Sequence, residues 1–200
     1  MIDSIKKILF TGSLNDEYLS DLVTDLSETI DEHKLELFSY SNSNNQNQLL
    51  NVKPLIESDV CKMDLIVSIG GDGTMLKSSK LASNHNVPIT GINKGRLGFL
   101  TDINPELVSD ALKEIIQGDY QIESRMLLDV KISNGNEERF IGHAVNDLVI
   151  NKTKTGRMIN VQTSINDTYV NSNQGDGYIV STPTGSTAYS LSCGGPIINP

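Results

Sequence analysis

The apolar stretch Asp64-Leu65-Ile66-Val67-Ser68-Ile69 runs directly into Gly70-Gly71-Asp72-Gly73-Thr74, and a helical pattern follows with Met75, Leu76, Leu81 and Ala82. A short apolar run stopped by glycines reads as a buried strand of a parallel sheet. The rest of the first half repeats this alternation. Residues 7–10 read as a strand, and residues 16–30 as a helix whose stripe is Leu19, Leu22, Val23, Leu26 and Ile30. Residues 35–40 read as a second strand, 54–60 as a short helix and 87–92 as a further strand. Strands separated by helices predict right-handed crossovers and a parallel sheet, which binds its ligands at the carboxyl ends of the strands. The Asn-rich residues 41–48 have nothing to bury and read as a mobile loop.

The glycine cluster therefore falls at a strand-to-helix turn on the ligand-binding edge. Without Cβ atoms, Gly70, Gly71 and Gly73 let backbone amides approach a ligand, and the helix start at Thr74 aims its positive end at an anion. This describes a phosphate cradle with an acid at its centre. Asp72 repels bare phosphate, so it needs a metal or a hydroxyl proton to accept; a carboxylate beside phosphates and near an alcohol points to phosphoryl transfer. The structural alternative is a turn in which Asp72 merely caps the next helix. No Gly-x-x-x-x-Gly-Lys-[Ser/Thr] loop and no Gly-x-Gly-x-x-Gly fingerprint occur in the chain. Lys77, about one helical turn on, is either a phosphate contact or a solvated surface lysine.

A net charge of -9 over 200 residues argues against nucleic acid or an anionic membrane as the main partner. Residues 1–10 lack the apolar core of a signal peptide, and no run approaches the length of a transmembrane helix. Cys61 and Cys193 stand far apart and suggest reduced thiols in a cytoplasm, while His33, His85 and His143 are too scattered for a zinc cluster.

A second loop at a strand's carboxyl end carries Asn93-Lys94-Gly95-Arg96-Leu97-Gly98-Phe99-Leu100. Phe99 either lines a pocket for a flat ring or plugs the core. Residues 105–117 read as a helix stopped by Gly118. The texture then changes: residues 122–133 alternate, Asn134-Gly135 signals a hairpin, 139–150 are extended, 158–165 and 168–172 flank Asn166-Asp167, and 177–181 form another strand. An α/β domain over residues 1–101 is thus expected to precede an antiparallel, β-sandwich-like domain over 102–200, with a site in the crevice between them.

The second half has its own polar groups. Asn146-Asp147 interrupts an apolar context and must find partners, either a nucleotide's base edge and ribose or, at a strand end, water. Asp176-Gly177 precedes a strand in the same way. In Thr182-Pro183-Thr184-Gly185-Ser186-Thr187-Ala188-Tyr189-Ser190 a tight turn is followed by hydroxyls and by amides free at a helix start. Tyr189 offers a stacking face there; ordinary Ser/Thr capping is the other reading.

Taken in order, Gly70 to Thr74, the Gly-Arg-Leu-Gly-Phe-Leu of residues 95–100, Asn146-Asp147, Gly175-Asp176-Gly177 and the run TPTGSTAYSLSCGGP at 182–196 make the chain resemble the NAD kinases. The resemblance implies ATP-dependent phosphorylation of the 2′-hydroxyl of the adenosine ribose of NAD, with Mg²⁺ or another divalent cation arriving on ATP rather than held by protein alone. It implies that Asp72 is the proton acceptor and that Gly73 lies beside the dinucleotide. Asn146 and Asp147 match the nucleotide-contacting pair, where many relatives have Glu at the second position. Asp176, Thr184, Thr187, Ala188, Tyr189, Ser190, Leu191 and Ser192 match further dinucleotide contacts, and Phe99 the adenine-lining loop. Lys77 and Arg157 fall where basic residues are frequent; Gln174 stands where relatives often carry one. Family members continue beyond the Gly-Gly-Pro turn and are usually homodimers or homotetramers, so an incomplete second domain and a homo-oligomer are expected. The glycine loop alone is shared with diacylglycerol and sphingosine kinases, which leaves a lipid kinase, or a silent dinucleotide-binding module, as rivals.

Overall fold

A computed structural model describes residues 4–12, 16–40, 52–95, 98–101, 103–135, 137–153 and 156–200; the expected polar loop at 41–48 lies outside them. Strands β1 (Lys7–Gly12), β2 (Glu36–Tyr40), β3 (Val52–Leu55), β4 (Leu65–Ile69) and β5 (Ile89–Ile92) form one parallel sheet in the order β3-β2-β1-β4-β5. The expected short helix at 54–60 is instead strand β3 followed by a 3₁₀ turn, Glu57–Lys62. Pro54 lacks an N–H, and β3 tolerates it because it is the outermost strand of the sheet.

Helices cover both faces. The predicted helix at 16–30 is two, α1 (Asp16–Asp25) and α2 (Ser27–His33), broken at the buried Leu26 and ended by a left-handed Lys34 (φ 52°). Helix α3 (Asp72–His85) follows β4, and α4 (Val108–Gln117) ends as expected at Gly118, whose φ is 92°. Alternation along the strands sorts the core. Ile8, Phe10, Val67 and Ile69 pack with Leu22, Val23, Leu26, Val108, Leu112 and Ile116, whereas Leu9 and Ile66 pack on the other face with Val60, Met63, Ala82 and Val87.

The chain divides into two compact units, Met1–Glu123 and Ser124–Pro200. The division thus falls beyond the expected point near Thr101, because α4 buries its apolar stripe in the core of the parallel sheet. Sheet order reverses between β1 and β4, so the glycine loop after β4 sits at the topological switch point.

The second unit is antiparallel. Strand β6 (Leu128–Ser133) pairs with β7 (Glu138–Ala144), β8 (Asp147–Asn151) with β11 (Gly177–Ser181), and β9 (Ile159–Ile165) with β10 (Thr168–Gly175). Asn166 and Asp167 join β9 to β10 with φ of 49° and 62°, the left-handed pair of a tight hairpin. The extended stretch predicted at 139–150 breaks at Val145 and Asn146. After β11 come a 3₁₀ turn, Thr184–Thr187, and a single helical turn, α5 (Tyr189–Ser192).

Candidate functional site

In the first unit the site grows from the end of β4. Gly70 has φ +154°, and a Cβ there would meet Thr74 Cγ2 at 3.0 Å and its Oγ1 and Cβ closer still. Gly71 precedes α3, and Cβ atoms at Gly71 or Gly73 would meet nothing within 4 Å, so the backbone is open to an approaching ligand. The helix start commits the Thr74 and Met75 amides to Gly71 O, at 2.9 and 3.0 Å. The amides ahead of them belong to the helix end that favours anions.

Asp72 is the first residue of α3 and is partly exposed. Its Oδ2 accepts the Phe99 N–H at 3.0 Å and its Oδ1 the Leu100 N–H at 3.0 Å. The carboxylate is therefore no cap of its own helix; it bridges to the second loop. That loop is itself anchored. Asn93 is buried, donates Nδ2 to Thr101 Oγ1 at 3.2 Å and accepts the Gly95 N–H on Oδ1 at 2.7 Å. Phe99 is 79% exposed, which rules out the core plug and leaves an open aromatic face beside Asp72. Arg96 and Leu97 lie outside the described residues. Lys77 is exposed on α3 and forms no salt bridge among the described residues.

Several residues that hold this loop carry little signal in sequence. Gly12, with φ +103°, ends β1 so close to the cradle that a Cβ would lie 2.7 Å from Thr74 Cγ2. Beneath it a buried hydroxyl chain joins the ends of β1 and β4 to α3: Ser78 Oγ lies 2.8 Å from Thr11 Oγ1 and 2.9 Å from Ser68 Oγ. A glycine ending a strand was the one available clue.

In the second unit, Asn146 sits in the break between β7 and β8 rather than inside a strand. Its carbonyl accepts the Thr182 N–H at 2.8 Å, and Thr182 Oγ1 lies 2.6 Å from Val145 O while accepting the Gly185 N–H at 3.0 Å. Gly185 packs on this backbone so tightly that a Cβ would lie 2.6 Å from Asn146 Cα. The Asn146 and Thr184 segments are thereby locked together. Two buried side-chain atoms among the described residues lack a hydrogen-bond partner, Asn146 Oδ1 and Thr184 Oγ1, and both belong to residues singled out by sequence. Burial raises the pKa of the adjacent Asp147 carboxyl.

The amides expected to be free after Pro183 are largely committed: Ser186 donates to Pro183 O at 3.1 Å and Ala188 to Gly185 O at 2.9 Å. They close a 3₁₀ turn, and two hydroxyls of the segment are committed as well: Thr182 Oγ1 to the Val145 carbonyl and the Gly185 amide, and Ser186 Oγ to the backbone of Ile198 at 3.0 and 3.2 Å. Thr187 is half-buried, Tyr189 is 51% exposed, and the carbonyl of Ser190 holds the turn at Cys193 and Gly195; Leu191 and Ser192 are exposed on α5. Asp176 is exposed and ion-paired to Lys152 Nζ at 2.6 Å, a partner that nothing in the sequence pattern marks. Gln174 on β10 and Arg157 before β9 are exposed, and no hydrogen bond joins them to the Asn146 cluster among the described residues. Among the described residues no group of three His, Cys, Asp or Glu side chains stands close enough to hold a metal ion.

Comparison with known proteins matches residues 16–120 to the ATP-NAD kinase N-terminal domain and residues 145–200 to the ATP-NAD kinase C-terminal domain. The chain is 46% identical over 147 residues to the NAD kinase of Heliobacterium modesticaldum, covering 74% of this chain and 52% of that one. It is 46% identical over 145 residues to the NAD kinase of Pseudomonas paraeruginosa, covering 72% and 48%. The chain thus spans about half the length of these curated relatives. The crystal structure of yeast NADH kinase complexed with NADH is similar, with a TM-score of 0.84, 25% identity, and coverage of 98% of this chain and 63% of that one. An Archaeoglobus fulgidus NAD kinase in complex with ATP superposes with a TM-score of 0.69 at 25% identity, covering 97% and 68%. The ordered glycine loop, Asn-Asp pair and Thr-Pro-Thr-Gly turn, with both domain models matched, show that the chain belongs to the NAD kinase family.

Proposed function

We propose that this chain phosphorylates the 2′-hydroxyl of the adenosine ribose of NAD, with ATP and its divalent cation as phosphoryl donor, to give NADP. The observation that carries this is the Asp72 carboxylate, aimed by two backbone N–H bonds at the mouth of a glycine cradle whose amides and helix end favour phosphate. The ribose oxygen attacks the γ-phosphorus as Asp72 takes its proton. The new O–P bond forms, the bond to the bridging β,γ oxygen breaks, and ADP leaves. Amides of Gly71 and Gly73, with Lys77 nearby on α3, stabilise the charge spreading over the phosphoryl oxygens. A divalent cation suits a cradle of this kind as part of the nucleotide, since Mg²⁺ binds through phosphates with few protein carboxylates.

NAD is the acceptor because the second unit offers polar, unsatisfied groups. Asn146 Oδ1 and Thr184 Oγ1 are buried with no hydrogen-bond partner in the protein among the described residues, a polar setting that suits a nucleotide better than a lipid tail. Asp147, Asp176 and the segment of Thr187, Ala188, Tyr189, Ser190, Leu191 and Ser192 complete the dinucleotide contacts, with Phe99 against the adenine and Gln174 and Arg157 toward its polar parts. A cytoplasmic homo-oligomer goes with this reading; among the described residues no helix is long and apolar enough to cross a membrane.

The decisive experiment incubates the protein with ATP, Mg²⁺ and, in turn, NAD, a diacylglycerol and a sphingoid base. NADP alone is expected. Removing the proton acceptor in Asp72→Asn is expected to lower kcat by about 10²–10⁴-fold while NAD binding persists. Near-normal turnover would remove Asp72 from the chemistry. Phosphorylated lipid with untouched NAD would make this a lipid kinase, and NAD binding in a calorimeter without ATP consumption a silent binding module.

A further inference from the structure

The two hydrogen bonds on Asp72 come from residues 27 and 28 positions away, and each carboxylate oxygen receives one of them. Such a pair fixes both side-chain torsions. It leaves each oxygen a second acceptor direction, so the group is held without being used up. The donors stand on a rigid support. Thr101, next to Leu100, is fully buried, and its hydroxyl is held by the buried Asn93, whose own N–H donates to Ile103 O at 2.9 Å. The carboxylate thus takes its orientation from the loop after β5 and not from its own helix.

Gly98 lets this happen. A Cβ at position 98 would lie 2.7 Å from the Asp72 carboxyl carbon and 2.9 Å from Oδ2, and closer still to Oδ1. The backbone at 98 is not in the left-handed region, so glycine is required there for space and not for conformation. Gly95 in the same loop differs: a Cβ there would meet nothing within 4 Å.

We propose that Gly98 is a positioning residue for the phosphoryl-transfer step, keeping clear the space in which the Phe99 and Leu100 amides clamp the Asp72 carboxylate; this rests on Asp72 being the proton acceptor. A methyl at 98 pushes on the end of a rotatable side chain, not on backbone, so the carboxylate leaves its two amides and the loop stays. Turnover suffers and dinucleotide affinity does not.

The test measures NADP formation by the wild type, Gly98→Ala, Gly95→Ala and Asp72→Asn. Because a misplacement of roughly 1 Å costs about 10²-fold, Gly98→Ala is expected to lose about that factor in kcat with its KM for NAD within about twofold of wild type. Gly95→Ala keeps the N–H that Asn93 accepts and adds a methyl that meets nothing within 4 Å, so it reads the general effect of a methyl in this loop, and its loss in kcat is expected to be smaller than that of Gly98→Ala. If Asp72→Asn is impaired and Gly98→Ala is not, the clamp is overturned and the base survives. If Asp72→Asn turns over normally, the base assignment itself is wrong. A second measurement needs no activity and leaves Gly98 untouched: in Asp72→Ala the Phe99 and Leu100 amides are expected to exchange hydrogen faster, with β4 protection unchanged. Unaltered exchange at both amides would overturn the clamp.

Discussion

At the scale of single residues, two buried polar atoms among the described residues have no partner within the protein, where most buried polar groups have one. A buried group left without any partner costs about 1–3 kcal/mol, the cost that Asn146 Oδ1 and Thr184 Oγ1 carry wherever neither water nor ligand reaches them. Thr184→Val keeps the branched shape of the first residue in the 3₁₀ turn and deletes one of them. The variant is expected to unfold at higher denaturant, gaining about 1 kcal/mol, while its affinity for NAD falls by about tenfold as a bound partner is lost. Equilibrium denaturation and calorimetry read the two effects separately. A less stable variant with unchanged affinity would make the hydroxyl structural. Asp72 and Thr184 were legible in the sequence because polar side chains beside glycines and prolines are conspicuous, and Asn146 because it interrupts an apolar context. Gly98 was not, since the reason for it is a carboxylate 26 positions earlier that only the folded loop brings close.

At the scale of elements, the strands of the sheet were readable wherever an apolar run had both faces covered, as in Leu65-Ile66-Val67-Ser68-Ile69. The misreadings have local causes. Val52–Leu55 carries a proline that argues against a strand until its edge position is known, and the break at Asn146 is set by hydrogen bonds to Thr182, distant in sequence. Helix α4 was found correctly but assigned to the wrong half, because an amphipathic stripe does not say which sheet it will cover. Leu112 on α4 is fully buried with Ile8 and Phe10. Leu112→Ala is therefore expected to destabilise the first unit by about 2–5 kcal/mol, the usual range for a core leucine reduced to alanine. Thermal unfolding checks it, and a change under about 0.5 kcal/mol, typical of surface positions, would place α4 outside that core.

At the scale of the whole molecule the two units are built on different terms. Every fully buried hydrophobic side chain among the described residues lies between Ile5 and Ile116, so the first unit owns its core. Among the described residues of the second unit the buried side chains are Thr182 and Ser186, while Ile132, Phe140, Met158, Ile165, Tyr169 and Ile197 are half or more exposed. Isolated two-stranded ladders are marginal in water, and among the described residues these carry no buried apolar layer to offset the entropy of ordering. The linking segment, residues 119–127, has no helix or strand and bears Arg125. A polypeptide of Met1–Glu123 is accordingly expected to unfold in one cooperative transition, whereas Ser124–Pro200 expressed alone is expected to bind a hydrophobic dye and melt without a cooperative step. A chain ended at Thr101, lacking α4, is expected to lose the cooperativity of the first unit as well, since Val108, Leu112 and Ile116 leave with it. Circular dichroism and calorimetry on the three polypeptides decide the matter. Cooperative melting of Ser124–Pro200 by itself would show that its ladders close a core of their own, and the dependence on a covered apolar face would then be wrong.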